Sequence, residues 1–254
     1  MQNNTFSGLF VGRNVIALQR VDSTNNYLKN KLSNSKPITG GTVIMAEDQF
    51  AGRGQFSNSW FSEPGKNLTF SILLYPSFLA PSQLFRLNIA VSIAINDALN
   101  EIIGSQVKIK WPNDIFFADS KIGGILIENS ISGTGVKHSI IGIGLNVNQT
   151  EFAGLGSVTS VKRIIAAEAD RTELLRRICS SIERRYKELQ NNQADEHLSR
   201  YLQNLYRFNE IHTFVAGGNT VNGRIIGVDP DGRLQIECEG TVTSYGLKEL
   251  SYVI

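Results

Sequence analysis

Between residues 82 and 103, Leu84, Leu87, Val91, Ala94, Ala98 and Ile102 recur at steps of three and four, and Gly104 follows as a stop. That spacing predicts a long helix with one apolar stripe, which has to be buried against something. Runs rich in Val, Ile and Phe lie on both sides of it, at 15–20, 42–47 and 68–75 before and at 107–111, 122–128 and 139–146 after. These read as strands. Strands, a helix and then more strands predict an α+β fold with helices packed on a central mixed sheet, rather than a doubly wound parallel sheet.

Two further helices are expected downstream. One starts near Asp170, whose carboxylate can cap free amides while Glu173 completes a capping box, and runs through Leu174, Leu175, Ile178, Ile182 and Tyr186. A shorter one covers 195–206. After about residue 208 the texture changes to short alternating runs at 211–215, 220–228, 234–238 and 242–247, separated by Gly217-Gly218, 229–232 and Glu239-Gly240. Such spacing predicts a small separate β-barrel, dividing the chain into domains 1–207 and 208–254.

The totals narrow the function. With 25 Lys and Arg against 23 Asp and Glu, and no dense basic block, the chain is not expected to bind DNA. Cys179 and Cys238 lie far apart, which argues for reduced thiols rather than a disulfide framework or thiolate metal site. His138, His197 and His212 share no ligand spacing. There is no signal-like start and no apolar run long enough to span a bilayer, so a soluble, cytoplasmic protein without membrane contact is expected.

Four polar constellations interrupt the apolar runs. Lys110-Trp111-Pro112-Asn113-Asp114 ends one strand and Lys121-Ile122-Gly123-Gly124 opens another, which reads as a hairpin carrying two lysines. Each lysine taken alone is a solvated strand-end residue, and Asn113 and Asp114 suit a turn. Gly123-Gly124 argues for more, because paired glycines inside a strand mark close approach of a ligand or another backbone. Ser23-Thr24-Asn25 reads first as a helix cap and second as a polar pocket wall. Gln49 with Gly52-Arg53-Gly54-Gln55 and Trp60 is either a mobile Gly-rich loop or an anion site, in which the backbone approaches closely and the guanidinium forks onto a phosphate or carboxylate. Gly142-Ile143-Gly144-Leu145-Asn146 lacks the third glycine of a dinucleotide fingerprint but could floor a flat ring or sugar.

Taken in this order, these motifs resemble those of biotin protein ligases over residues 10–254, with Lys110-Trp111-Pro112-Asn113-Asp114 and Lys121-x-x-Gly124-Ile125-Leu126 as the specific part. The resemblance implies a class II synthetase-like catalytic domain followed by an SH3-like barrel. It implies activation of biotin by ATP and Mg²⁺ to biotinyl-5′-AMP, then transfer to one lysine of a biotin carboxyl carrier protein or domain of acetyl-CoA carboxylase or a related carboxylase. Ser23, Thr24, Asn25, Gln49, Arg53, Gly54, Gln55, Lys121 and Gly124 would line the biotin site. Arg53, Trp60, Lys110, Asn113 and Asn146 would face ATP, with Trp60 or Trp111 as an apolar wall. Arg53, Lys121 and Asp114 would be catalytic, Arg53 and Lys121 facing one pocket and Asp114 serving as Mg²⁺ contact or base for the incoming amine. No tightly bound metal is expected.

The resemblance begins almost at Met1, so the DNA-binding module of some relatives is expected to be absent. Where many relatives continue with arginines after Gly-Arg-Gly, this chain has Gln55-Phe56-Ser57-Asn58-Ser59, from which a leakier hold on the adenylate is expected. Sheet edges could pair two copies into a homodimer. The rival readings are a lipoyl or octanoyl transferase of the same fold and a non-catalytic biotin sensor.

Overall fold

The computed structural model describes all residues except 1, 2, 5, 35, 36, 134, 153, 155 and 254. Its first part contains strands β1 (Asn3–Asn4), β2 (Val15–Val21), β3 (Val43–Gln49), β4 (Leu68–Leu74), β5 (Val107–Lys110), β6 (Asp114–Phe117), β7 (Ser120–Ser132) and β8 (Gly135–Leu145). They form one sheet in the order β1-β2-β3-β4-β8-β7-β6-β5. The β2–β3 pair is parallel and the other pairs are antiparallel, so the sheet is mixed as expected. Helix α1 (Thr24–Asn34) makes the crossover that the parallel pair requires.

The remaining helices are α2 (Leu84–Ile103), α3 (Val161–Ile165), α4 (Arg171–Gln190) and α5 (Ala194–Gln203). β4 is buried at every position because both faces of the sheet are covered. Leu68, Phe70, Ile72 and Leu74 join the α2 stripe in the main core, while Leu73 meets Leu28 of α1, Ile44 and Ile140 in a second core. A charge cluster ties the helical layer together. The Asp97 carboxylate on α2 takes Arg184 at 3.1 Å, Arg185 at 2.5 Å and Arg200 at 2.7 Å. Asp170 caps α4 as expected, accepting from the amides of Thr172 and Glu173, but the Glu173 carboxylate turns to Arg176 and Arg177.

The C-terminal part is a five-stranded antiparallel sheet of β9 (Ile211–Ala216), β10 (Asn219–Val228), β11 (Leu234–Cys238), β12 (Thr241–Tyr245) and β13 (Leu250–Tyr252), ordered β12-β11-β10-β9-β13. The fifth strand was not anticipated, being only three residues long. Phe214, Ile225, Leu234, Ile236 and Leu250 belong to the main core, and the Trp111 indole donates to the Gly232 carbonyl at 2.9 Å, so the two sheets share one interior. Among the described residues no helix is long and apolar enough to cross a membrane.

One expectation is corrected. Residues 110–124 form a three-stranded meander rather than a single hairpin, because Asp114–Phe117 is itself a strand pairing with both β5 and β7. At four residues it is too short to show a period of its own.

Candidate functional site

Strand register assembles the site. Thr69, Gly144, Gly124, Asp114 and Lys110 are successive partners across β4, β8, β7, β6 and β5, forming one row that crosses the sheet. The two glycines at its centre leave a trough between Thr69 and Asp114. A Cβ on Gly144 would stand 2.4 Å from the Trp60 ring, and one on Gly142 would stand 2.5 Å from Asn25 Oδ1. Both positions are therefore small because side chains press onto the strand there.

Lys121 reaches this face through an irregularity. Ile115 pairs with Gly123 and Phe116 with Lys121, so β7 carries one extra residue, Ile122, against β6. The extra residue resets the alternation of side chains. Lys121 Nζ consequently lies 2.6 Å from Asp114 Oδ1. Gly124 lies beneath the pair, its missing Cβ 3.4 Å from Asp114 Oδ1 and 3.6 Å from Lys121 Nζ.

The Gly-Arg-Gly loop folds back on itself to make a wall. Gly54 donates to the Asn58 carbonyl at 2.8 Å and Trp60 to that of Gly52 at 2.9 Å. A Cβ on Gly52 would lie 2.3 Å from the Trp60 carbonyl oxygen, so this turn depends on glycine. Trp60 is thereby held over Gly144, and its buried indole N–H has no partner among the described residues.

These parts enclose a cleft of about 420 Å³, a size suited to a small-molecule ligand. Of the residues singled out from sequence, Gly54, Gln55 and Trp60 line it from the loop, and Lys110, Trp111, Asn113, Asp114, Lys121 and Gly124 line it from the meander. Trp111 also serves as the tie to Gly232, and Asn113 donates to the Ile125 carbonyl at 2.7 Å, so both brace the structure as well.

The others have different positions. Ser23, Thr24 and Asn25 are buried at the start of α1. Gln49 Oε1 accepts the Thr24 amide at 2.8 Å, so a strand side chain satisfies the helix end. The Ser71 hydroxyl lies 2.7 Å from Thr24 Oγ1 and 2.6 Å from Asn25 Oδ1, and the Asn25 amide donates to Glu128 Oε2 at 2.8 Å. Asn146 is buried and donates to the Thr159 carbonyl at 3.1 Å, so its amide holds a loop rather than facing the cleft.

Arg53 departs most from expectation. Its guanidinium donates to Asn26 Oδ1 at 2.6 Å and Glu128 Oε1 at 3.0 Å and does not line the cleft, so Arg53 and Lys121 do not face one pocket in this arrangement. The reason is the Glu128 carboxylate, which offers both oxygens to a planar fork. Burial alone would raise the Glu128 carboxyl, but hydrogen bonds from Asn25 and Arg53 and the Arg53 charge outweigh it and hold it below the usual range.

Lys110 differs from Arg53 and Lys121 in having no ion-pair partner among the described residues. Burial pushes its amine below the ordinary lysine value; Asp114 opposes this, while Lys121 and Arg207 add to it. Among the described residues no group of three His, Cys, Asp or Glu side chains could hold a metal ion. Among the described residues Asp114 is the only acidic one lining the cleft.

Sequence reasoning named Phe56 only as part of the loop and did not single out Lys248 or Tyr252; all three also line the cleft. Phe56 lies under Lys248 Nζ, 4.0 Å from its ring centroid. Lys248 and Tyr252 carry no local motif. Glu128, the carboxylate that takes Arg53, was not singled out either.

The model of the biotin/lipoate A/B protein ligase family matches residues 17–146. The biotin–[acetyl-CoA-carboxylase] ligase of Paracoccus denitrificans is 36% identical over 141 residues, covering 54% of this chain and 56% of that protein. The bifunctional ligase/repressor BirA of Bacillus subtilis is 28% identical over 252 residues, covering 94% of this chain and 73% of that protein. Among solved structures, the biotin protein ligase of Aquifex aeolicus in complex with biotin and ATP superposes with a TM-score of 0.78 at 28% identity, covering 93% of this chain and 97% of that one.

Proposed function

The chain belongs to the biotin/lipoate A/B protein ligase family, and from that membership we propose that it is an ATP-dependent biotin–protein ligase. The observation that carries the reading is the cleft in which Lys121, Asp114 and Lys110 converge over a glycine floor. A biotin carboxylate and the α-phosphate of ATP are both anions, so bringing them within bonding distance requires fixed positive charge. A carboxylate oxygen attacks the α-phosphorus and pyrophosphate leaves, giving biotinyl-5′-AMP. The amine of a carrier lysine then attacks the acyl carbon and AMP leaves.

In this reading Lys121 stabilises the charge that develops around the reacting carboxylate and phosphate, and Lys110 faces the phosphates of ATP. Gly54, Gln55, Lys121 and Gly124 border biotin, with Ser23, Thr24, Asn25 and Gln49 shaping its floor from behind. Trp60 walls the nucleotide side, where Asn113 and Asn146 brace the backbone. Asp114 contacts the Mg²⁺ brought in with ATP in the first step and accepts a proton from the lysine amine in the second. Arg53 reaches the ligand by exchanging Glu128 for an anionic oxygen.

The acceptor is a biotin carboxyl carrier protein or domain of acetyl-CoA carboxylase or a related carboxylase. Residues 1–207 form a class II synthetase-like catalytic domain and 208–254 an SH3-like barrel that helps cover the nucleotide. Work as a homodimer in the cytoplasm completes the proposal; sedimentation and cell fractionation test those two points. The chemistry is tested by incubation with biotin, MgATP and a carrier domain, reading pyrophosphate and carrier mass. Pyrophosphate release with a biotinylated carrier is expected. Activity with lipoate or octanoate but not biotin would overturn the biotin assignment, and pyrophosphate without carrier modification would overturn the transfer step.

A further inference from the structure

The last strand of the C-terminal sheet borders the cleft beside Lys110. Lys110 Nζ lies 4.7 Å from the ring centroid of Tyr252 on β13 and 5.1 Å from that of Phe116 on β6. The ammonium thus sits between two aromatic rings, one from each sheet. Neither ring stands alone. Phe116 packs on Tyr206 with centroids 5.2 Å apart, Tyr206 on Tyr252 at 6.0 Å, and Tyr252 on the fully buried Phe214 at 5.4 Å. The Tyr252 hydroxyl is buried and has no hydrogen-bond partner among the described residues, so the ring is what this position uses.

A cation stripped of water needs compensation, and a carboxylate would supply it by neutralising the charge. Aromatic faces compensate through their quadrupole and leave the charge available to an incoming anion. Arg53 and Lys121 are each paired with a carboxylate, and Lys110 is not, among the described residues.

We propose that Tyr252 is a positioning residue for the nucleotide half of the cleft: with Phe116 it holds the Lys110 ammonium unpaired for the polyphosphate of ATP. This rests on the reading of the cleft as a biotin- and ATP-binding site. It also gives the C-terminal sheet a specific part in nucleotide binding.

The test compares Tyr252→Phe, Tyr252→Leu and Tyr252→Leu in a Lys110→Met background, with KM for ATP and for biotin measured separately by pyrophosphate exchange. Tyr252→Leu is expected to raise the ATP KM about tenfold, between the sizes of an exposed and a fully desolvated cation–aromatic contact, and to leave the biotin KM unchanged. Tyr252→Phe is expected to behave as wild type, and Tyr252→Leu to add nothing once Lys110 is Met. Equal damage by Phe and Leu, parallel rises in both KM values, or additive effects with Lys110→Met would overturn the proposal. If Tyr252→Leu fails to fold, Phe116→Leu reads the opposite ring by the same criteria. A wild type inactive with biotin would sink the functional reading instead, and calorimetric titration of ATP into wild type and Tyr252→Leu would still decide the role of Tyr252.

Discussion

Lys121 Nζ lies 2.6 Å from Asp114 Oδ1 only because β7 carries Ile122 as an extra residue against β6. Without it, Lys121 and Gly124 would fall on opposite faces of a regular strand. Both partners are largely shielded, with 34% and 20% of their side chains exposed, so either one left alone keeps a partly desolvated charge.

The two partners are predicted to fail at different steps. Lys121→Ala should lower the rate of biotin-dependent pyrophosphate exchange at least about a hundredfold, the usual loss when one fixed stabiliser of developing charge is removed. Asp114→Asn keeps the shape and should slow transfer from preformed biotinyl-5′-AMP to carrier more than it slows exchange. Single-turnover assays of each half-reaction separate the two, and a Lys121→Ala enzyme with full exchange would remove the assignment.

Gly144 and Trp60 give a stability prediction. A Cβ at Gly144 would meet Trp60 Cε2 at 2.4 Å, and the Trp60 backbone is tied to the turn by its amide's bond to the Gly52 carbonyl at 2.9 Å, so the residue cannot simply back away. Gly144→Ala should therefore destabilise the protein by about 1–3 kcal/mol, as overpacking does. It should also shift the emission of Trp60, a change read against the variant Trp111→Phe in which Trp60 is the remaining indole. Thermal melts with unchanged midpoint and emission would show that the ring is not seated on the strand.

How much of this was legible in the sequence depended on the scale of each feature. The long α2 stripe, the strand runs, the Asp170 cap and the change of texture near residue 208 were visible because periodicity is local. The two lysines and the glycine pairs were visible because polar and flexible residues are out of place in apolar strands. β6 and β13 were not, at four and three residues, and neither was the bulge that re-aims Lys121. The partners of Arg53 and Asn146 could not be read either, since Glu128 and Thr159 compete for them through tertiary contacts. Tyr252 belongs to the same class: nothing around it in the sequence points to Lys110, more than a hundred residues away.

The Arg53–Glu128 pair predicts a pH dependence of stability. The Glu128 carboxyl is held below its ordinary value in the folded protein, so the pair stabilises above the unfolded carboxylate pKa of about 4.3. That contribution is lost as pH falls through the folded value. The difference in melting midpoint between wild type and Glu128→Gln should be largest near neutrality and shrink towards roughly pH 3. The magnitude is modest because the two side chains are 39% and 26% exposed. A difference that is constant from neutral to acid pH would mean that the variant acts through packing alone.

The loop sequence predicts how firmly the intermediate is held. The loop tip presents Gln55 and an exposed Phe56 rather than cations. Besides the loop's own backbone bonds, the Phe56 ring contacts Lys248, a cation–aromatic pair exposed to water and worth about 0.5–1 kcal/mol. Such a contact keeps the loop near the C-terminal sheet and leaves the Lys248 charge among the cleft-lining residues, but the loop tip itself contributes no cation. Gln55→Arg is therefore predicted to slow the release of biotinyl-5′-AMP, and Phe56→Ser to speed it. Both rates follow from trapping released adenylate with hydroxylamine in the absence of carrier. Equal release from wild type and Gln55→Arg would mean that charge at the loop tip does not limit escape, and the retention of the intermediate would then rest on cations already present, Lys110, Lys121 and Lys248 of the cleft lining among them.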